Sequence, residues 1–118
     1  MEKSKNANVL SSRCPSREIL SHVTGTWANL ILIALLEKTH RFSELRKRVD
    51  GISEKMLSQT LRLLEGDGFV LKKDYKEIPP KVEYSLTPLG KGVAEHIHGL
   101  TNWIEKNLPA VLARRGKM

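Results

Sequence analysis

The chain has 118 residues, of which 40% are hydrophobic, a composition that suits one small domain with a single core. Its 20 lysines and arginines outnumber 13 aspartates and glutamates, and the formal net charge of +7 favours nucleic acid or an anionic membrane as partner. The same charge can also reflect no more than a soluble basic surface. The single cysteine excludes an intrachain disulfide, so the fold needs no oxidising compartment.

No segment of the sequence suggests a membrane protein. The N-terminus is polar and lacks the apolar centre of a signal peptide. The longest apolar run, 30–36, is far shorter than the roughly 20 residues that a membrane span needs. We therefore expect a cytoplasmic protein without membrane contact.

Two helices are predicted in the first third of the chain. Residues 1–12 show no periodicity and are expected to form a mobile arm, whereas Pro15 suits the first position of a helix. In that helix Ile19, Leu20 and Val23 share one face. The second helix covers about 27–38 and is apolar on nearly all sides, so it should be central and buried. Its predicted core stripe comprises Leu30, Ile31, Ala34 and Leu35.

A helix-turn-helix follows, after a connection at 39–41. A short helix is predicted over 42–49 and a longer one after Ser53, which is a good N-cap because its hydroxyl can accept from an unpaired backbone N–H. Gly66 and Gly68 should end the longer helix. Its apolar face consists of Leu57, Leu61 and Leu64, widened by Met56 and Leu63.

The opposite face of the longer helix carries four side chains that can donate hydrogen bonds, namely Lys55, Ser58, Gln59 and Arg62. Such a face is suited to reading the edges of DNA bases. An ordinary amphipathic helix with a solvated polar face has the same pattern, so this segment alone does not decide between the two.

A β-hairpin is predicted next, with strands near 69–75 and 81–86. The second strand alternates cleanly, with Val82, Tyr84 and Leu86 on one face. The double proline 79–80 belongs in the loop, because proline cannot donate to a strand ladder. A hairpin after a helix-turn-helix is a wing, and lysines crowd this one at Lys72, Lys73, Lys76 and Lys81.

The last predicted element is a helix over 88–107, started by Thr87 and Pro88. An apolar ridge runs along it, formed by Leu89, Val93, Ile97, Leu100 and Ile104. Pro109 should interrupt it, leaving a basic tail over 109–118 with one or two further turns at most. The ridge could pack on its own domain, but a helix this long beside a closed core favours contact with a second copy.

The ordered set of residues along the chain resembles the HxlR-type winged helix-turn-helix regulators of bacteria, over about 13–104. The landmarks are Cys14-Pro15; Gly25 and Trp27; Arg41-Phe42 with Glu44-Leu45; Gly51-Ile52-Ser53 with Lys55, Leu57, Gln59, Leu61-Arg62, Leu64-Glu65 and Gly68; Tyr75; Pro79-Pro80; Val82-Glu83-Tyr84-Ser85-Leu86-Thr87 and Gly90; and Trp103.

This resemblance implies a mainly α fold with a small β-hairpin, in which 13–108 form the winged helix-turn-helix domain including the dimerisation helix. It implies a homodimeric transcription factor that binds a double-stranded DNA operator, with the N- and C-terminal helices forming the dimer interface. The expected interface residues are Ile19, Leu20, Leu89, Val93, Ile97, Leu100, Trp103 and Ile104.

With the resemblance counted, the helix 53–65 is the expected reader of the major groove. Gln59 can pair with adenine and Arg62 with guanine, while Lys55 and Ser58 can serve phosphates instead. Ser53, which caps this helix, is counted with them as an expected DNA-binding residue. The wing lysines and Arg41 are expected on the flanking backbone or minor groove.

Cys14 has two interpretations. A lone cysteine is most often a small buried apolar residue. Here Arg13, Arg17 and a helix N-terminus surround it and favour the thiolate. Some members of the resembled family use the matching cysteine as a redox or electrophile sensor. With no second cysteine, oxidation would yield an intersubunit disulfide, a mixed disulfide or a sulfenic acid.

The sequence contains no pattern of residues that indicates an enzyme, a cofactor site or a metal site. His96 and His98 are two apart on a helix and do not face each other. A small-molecule effector is compatible with the sequence but unidentified. The alternative to a DNA-binding regulator is a winged-helix module for protein assembly, whose basic surfaces meet an acidic partner.

Overall fold

The computed structural model describes residues 7–116 and has the architecture of a winged helix-turn-helix, which confirms the predicted fold class. Its helices are α1 (Pro15–Thr24), α2 (Thr26–Glu37), α3 (Phe42–Arg48), α4 (Glu54–Gly66) and α5 (Pro88–Arg115). Its strands are β1 (His40–Arg41), β2 (Val70–Asp74) and β3 (Val82–Leu86).

The core lies around α2, which packs against α5, α4 and β3. As expected, Ile31, Ala34 and Leu35 are buried. Leu30 is exposed, however, and Leu32 takes its place in the core. The predicted stripe was wrong at this position because a helix that is apolar all round gives no periodicity by which to choose its buried side.

The helix α4 packs through Leu57, Leu61 and Leu64, which are buried as predicted. Met56 and Leu63 are exposed, so the apolar face is narrower than expected. Between the leucines, the hydroxyl of Thr60 is buried and donates to the carbonyl oxygen of Met56 at 2.7 Å. A polar side chain can occupy this position because it is satisfied within its own helix.

The sheet has three antiparallel strands in the order β1-β3-β2, one strand more than the predicted hairpin. The connection predicted at 39–41 contains β1, in which His40 pairs with Tyr84 and Arg41 with Glu83. A strand of two residues is too short to show an alternating pattern in sequence. The side chain of His40 is buried, with Nδ1 2.8 Å from the carbonyl oxygen of Lys38.

The C-terminal helix does not end near residue 107 but continues through Pro109 to Arg115. Proline removes one hydrogen bond and crowds the preceding turn, yet 110–115 consist of alanine, leucine, valine and arginine, most of which favour a helix. Gly116 ends it in the left-handed region, at φ 71°. Most of the expected basic tail is therefore helical, and 117–118 lie outside the described residues.

The segment before α1 forms turns rather than a featureless arm. Arg17 donates to the carbonyl oxygens of Val9 and Leu10 at 3.0 and 3.1 Å, and Leu10 N–H donates to Asn8. Residues 1–6 of the predicted arm lie outside the described residues, and its mobility stays a prediction. Within the described part of the chain, no single helix has the length and apolarity of a membrane span; α1 and α2 reach them only when joined across their 74° bend.

Candidate nucleic-acid interface

The turn between α3 and α4 orients the second helix of the pair. Gly51 adopts φ +90°, which favours glycine, and Ser53 caps α4 by accepting from the backbone N–H of Met56 at 3.0 Å. Arg46 also reaches from α3 to the first turn of α4, with Nη1 3.2 Å from Oε2 of Glu54. Sequence reasoning missed this exposed ion pair, which contributes about 1 kcal/mol at most.

The polar face of α4 points away from the core. Lys55, Gln59 and Arg62 are exposed and Ser58 is half-buried, and their spacing places them on one side of the helix. Nη2 of Arg62 donates to Oγ of Ser58 at 3.0 Å. The two side chains therefore form a unit in which the hydroxyl holds the guanidinium along the helix surface.

The wing brings several of the predicted basic residues to one face of the sheet. Lys73 and Arg41 both lie opposite Glu83 in the strand register, so their side chains share a face. Lys72 pairs with Tyr84, which is buried, and therefore starts from the opposite face. The predicted lysine cluster is thus divided between two sides of the hairpin.

Tyr75 is the centre of the basic face of the wing. The ammonium groups of Lys73 and Lys81 lie 4.6 and 4.4 Å from the centroid of its ring. Its hydroxyl donates to Oε1 of Glu83 at 2.8 Å, and this hydrogen bond raises the pKa of Tyr75. Lys76 lies apart in the loop, at φ 55°. Sequence reasoning used Tyr75 only as a landmark, although the alternation of 73 and 75 could have placed it beside Lys73.

Cys14 stands at the N-cap of α1 and is half-buried. Ser16 Oγ donates to its Sγ at 3.0 Å and the backbone N–H of Asn8 at 3.3 Å. These bonds, with that of Ser16 the stronger influence, hold the pKa of the thiol below its usual value. From the sequence we expected Arg13, Arg17 and the helix N-terminus to favour the thiolate. Arg17 instead donates to carbonyl oxygens of the preceding turn.

An open cleft of about 460 Å³ borders the thiol. Its lining comprises Ser12, Arg13, Cys14, Pro15, Arg17, Glu18 and Ser21.

The apolar residues predicted for a dimer contact divide into two groups. Ile97 is buried in the core of its own chain and Val93 packs against that core. Ile97 is therefore unavailable to a partner, and its assignment to the interface was wrong. Residues four apart advance about 40° around a helix, so the ridge turns towards the core between Leu89 and Ile97.

The remaining predicted interface residues are exposed. They are Ile19, Leu20, Leu89, Leu100, Trp103 and Ile104, and Trp103 retains 58% of its accessible surface. Leu108 and Val111 lie on either side of Pro109 and extend the stripe along α5. These two residues were not among those predicted for the interface. No described residue after Ile97 is buried, so the second half of α5 projects from the domain.

Three of the four histidines have hydrogen-bond partners within the fold, His40 as described above. His22 Nδ1 lies 2.6 Å from Oδ2 of Asp67, and His96 contacts the carbonyl oxygen of Gly92 in its own helix. Among residues 7–116, no group of three or more histidine, cysteine or carboxylate side chains is arranged to hold a metal ion.

A helix anchored by leucines, with a polar outer face and a basic wing beside it, defines the class of helix-turn-helix transcriptional regulators. The profile of the HxlR-like helix-turn-helix family matches residues 22–111, and the chain belongs to that family. The resemblance seen in the sequence is confirmed.

Three similar proteins show how far the likeness extends. The uncharacterized HTH-type transcriptional regulator YtfH of Escherichia coli K12 is 57% identical over 111 residues, covering 94% of this chain and 88% of YtfH. The solved structure of YtfH from Salmonella typhimurium is 54% identical, with a TM-score of 0.88 over 94% of this chain and 99% of its own. The redox regulator HypR in its reduced form is 32% identical, with a TM-score of 0.77 over 84% and 98%.

Proposed function

We propose that this transcriptional regulator works as a homodimer on a two-fold DNA operator, with α4 of each subunit in the major groove. Half-sites read by such a pair lie about one helical turn or more apart. The observation that carries the proposal is the division of α4 into buried Leu57, Leu61 and Leu64 and exposed Lys55, Gln59 and Arg62. The proposed setting is the cytoplasm, at the nucleoid when bound.

Each exposed group on α4 has a fitting counterpart on DNA. The amide of Gln59 can bond N6 and N7 of adenine, and the guanidinium of Arg62 can bond O6 and N7 of guanine. The contact with Ser58 supports a reading role for Arg62, since a held guanidinium loses less freedom on binding. Lys55 is assigned to a phosphate, and Ser53 to the cap that presents the helix.

The wing is assigned to the DNA flanking each half-site. Arg41, Lys73 and Lys81 belong to the face centred on Tyr75, which suits a phosphate backbone or the minor groove. Lys72 and Lys76 are assigned secondary backbone contacts, because they start from the other face and from the loop.

The projecting part of α5 supports a dimer. The radius of gyration is 16.6 Å, against about 13.5 Å for a compact domain of this length. No described residue of this half of the helix is buried, and it exposes a continuous apolar stripe at Leu100, Trp103, Ile104, Leu108 and Val111. A second copy, with Ile19 and Leu20 of α1 contributing, would remove that surface from water.

Cys14 is the proposed point of control by oxidants or electrophiles. The hydrogen bonds from Ser16 and Asn8 favour the reactive thiolate, and the cleft beside it admits a reagent. The likeness to HypR, named as a redox regulator, supports the same role. In an intersubunit disulfide, two Cys14 thiols would give two electrons and two protons to an oxidant such as diamide.

The decisive experiment is selection of bound duplexes from a random-sequence library, with and without diamide, for wild type and Cys14→Ser. We expect a two-fold consensus, salt-sensitive affinity, and loss of binding with diamide in wild type alone. Loss in both proteins would clear Cys14 of the role.

Enrichment of no sequence would contradict operator binding and favour the protein-assembly alternative. Gln59→Ala, selected in parallel, should lose preference at one base pair of each half-site. Equal losses of affinity on the consensus and on random DNA would count against base reading by Gln59.

A further inference from the structure

The C-terminal end of the recognition helix α4 is held from the side of α1. Asp67, the residue that ends α4, places Oδ2 2.6 Å from Nδ1 of His22. The two side chains retain only 20% and 16% of their accessible surface. Among the hydrogen bonds of residues 7–116, this is the one that joins α1 to the end of α4.

The same end of α4 is held from the side of α5. Thr87, the N-cap of α5, donates its hydroxyl to the carbonyl oxygen of Gly68 at 2.6 Å and its N–H to that of Phe69 at 3.1 Å. The backbone of Gly90 is so close to Phe69 that a Cβ on Gly90 would stand 1.9 Å from the carbonyl oxygen.

The junction between these contacts is a tight turn, 67–69. Three backbone bonds fold it onto α4, from the N–H groups of Asp67, Gly68 and Phe69 to carbonyls one turn earlier, at 2.9–3.1 Å. Gly68 adopts φ +83° within it. These bonds satisfy the last carbonyls of α4 and tie the turn to that helix.

The two helices that grip this junction, α1 and α5, are also the two that expose the apolar side chains assigned to the dimer. We propose that the His22–Asp67 contact is a positioning element that fixes the recognition helix relative to the dimer surface and thereby sets the half-site spacing that the dimer accepts. This inference rests on the proposed function, because spacing has meaning only for a two-fold operator.

Spacing is a sensitive measure of such a contact. One added base pair moves a half-site by about 3.4 Å and turns it by about 35° around the DNA axis. A pair of rigidly held recognition helices cannot follow both changes, so affinity falls steeply. Without the contact on the α1 side, the recognition helices are held only by Thr87 on the α5 side. They can then follow a displaced half-site more easily, and affinity falls less with altered spacing.

The test uses the consensus selected by the wild-type protein, rebuilt with one or two base pairs added or removed between half-sites, and a duplex with one half-site. The variants are His22→Ala, which breaks the contact, and His22→Asn, whose amide nitrogen stands as far from the backbone as Nδ1 and can still donate to Asp67. Ser21→Ala is the matched control, because Ser21 is the exposed neighbour on α1 and bonds only within its own helix, to Glu18.

We expect His22→Ala to reduce the affinity ratio between correct and altered spacing by about fivefold, with single half-site affinity nearly unchanged. His22→Asn and Ser21→Ala should keep the wild-type ratio. If His22→Ala fails to fold, Asp67→Ala removes the same contact from the other side and is expected to give the same result.

An unchanged spacing ratio in His22→Ala would overturn the inference, as would an equal loss of affinity at every spacing, which indicates a merely structural role. Those results leave the proposed function intact when the wild type still prefers one spacing. A wild type that selects no sequence, or binds all spacings equally, would instead contradict the two-fold operator itself.

Discussion

Gly90 lies against Phe69, and a Cβ atom at Gly90 would come within 1.9 Å of the carbonyl oxygen and 2.8 Å of the carbonyl carbon of that residue. The first turn of α5 therefore rests directly on the backbone that follows the recognition helix. Glycine is required here by close approach, since its backbone is ordinary α-helix.

Gly90→Ala should lower the free energy of unfolding by about 2 kcal/mol or more, because two backbone segments must separate to admit the methyl group. Denaturant titration measures the change. Gly66→Ala is the control, since nothing lies within 4 Å of its Cβ position in the last turn of α4. It should leave stability unchanged or raise it by up to about 1 kcal/mol. A Gly90→Ala protein as stable as wild type would contradict the close packing.

Ser58 and Arg62 should behave as one unit in DNA binding. Arg62→Ala is expected to lower affinity for the consensus by about 1–3 kcal/mol and to relax preference at one base pair. Ser58→Ala should relax preference at the same base pair but less, since it removes only the hydroxyl that holds the guanidinium. Fluorescence anisotropy on single-base variants measures both. A double variant that binds more weakly than Arg62→Ala by the full effect of Ser58→Ala would show that Ser58 contacts DNA independently.

Replacement of Lys73 or Lys81 by alanine should weaken binding to all sequences alike. The slope of log affinity against log salt should become shallower by about 0.9 for each phosphate that the protein no longer neutralises, and so by about 1.8 for a dimer. Lys72→Ala, on the other face of the hairpin, should change the slope less. Lys106→Ala on exposed α5 is the control and should leave it unchanged. A larger effect of Lys72 than of Lys73 would place the opposite face of the wing on DNA.

Trp103→Glu should separate the subunits, because it puts a charge in the centre of the apolar stripe of α5. Sedimentation should show a monomer, and operator affinity should fall by about 30-fold or more. The folding of each chain should survive, since Trp103 is exposed. Asn102→Glu, the exposed neighbour outside the stripe, is the matched control and should remain dimeric. A dimeric Trp103→Glu protein would remove α5 from the centre of the interface.

Ser16→Ala should make Cys14 less reactive near neutral pH. The hydroxyl of Ser16 stabilises the thiolate and is the main reason for the lowered thiol pKa, so its loss raises that pKa and leaves less thiolate. The pH profile of alkylation by iodoacetamide should move to higher pH. Ser12→Ala, in the same cleft, should leave the profile in place. An unmoved profile in Ser16→Ala would assign the reactivity of Cys14 to another cause.

Much of this fold follows from local sequence patterns. The leucine spacing after Ser53 predicts α4 and its buried face, and the alternation of Val82, Tyr84 and Leu86 does the same for β3. The turn before Ser53 is also predicted from the sequence. Both periodic patterns succeed because α4 and β3 each have one apolar side, and periodicity reports that side directly. The donors on the outer side of α4 follow by elimination, which is why the candidate reading face was visible before the structure.

Only the tertiary structure decided what depends on neighbours distant in sequence. Strand β1 exists because β3 lies beside it, and Ile97 is buried because α2 covers that side of α5. His22 meets Asp67 across 45 residues, and no local pattern encodes that contact. The sequence by itself therefore determined most of the elements and the polar face of α4. The packing of α1 and α5 decided how that face is held, because burial and pairing are properties of the surroundings of a residue rather than of its position in a repeat.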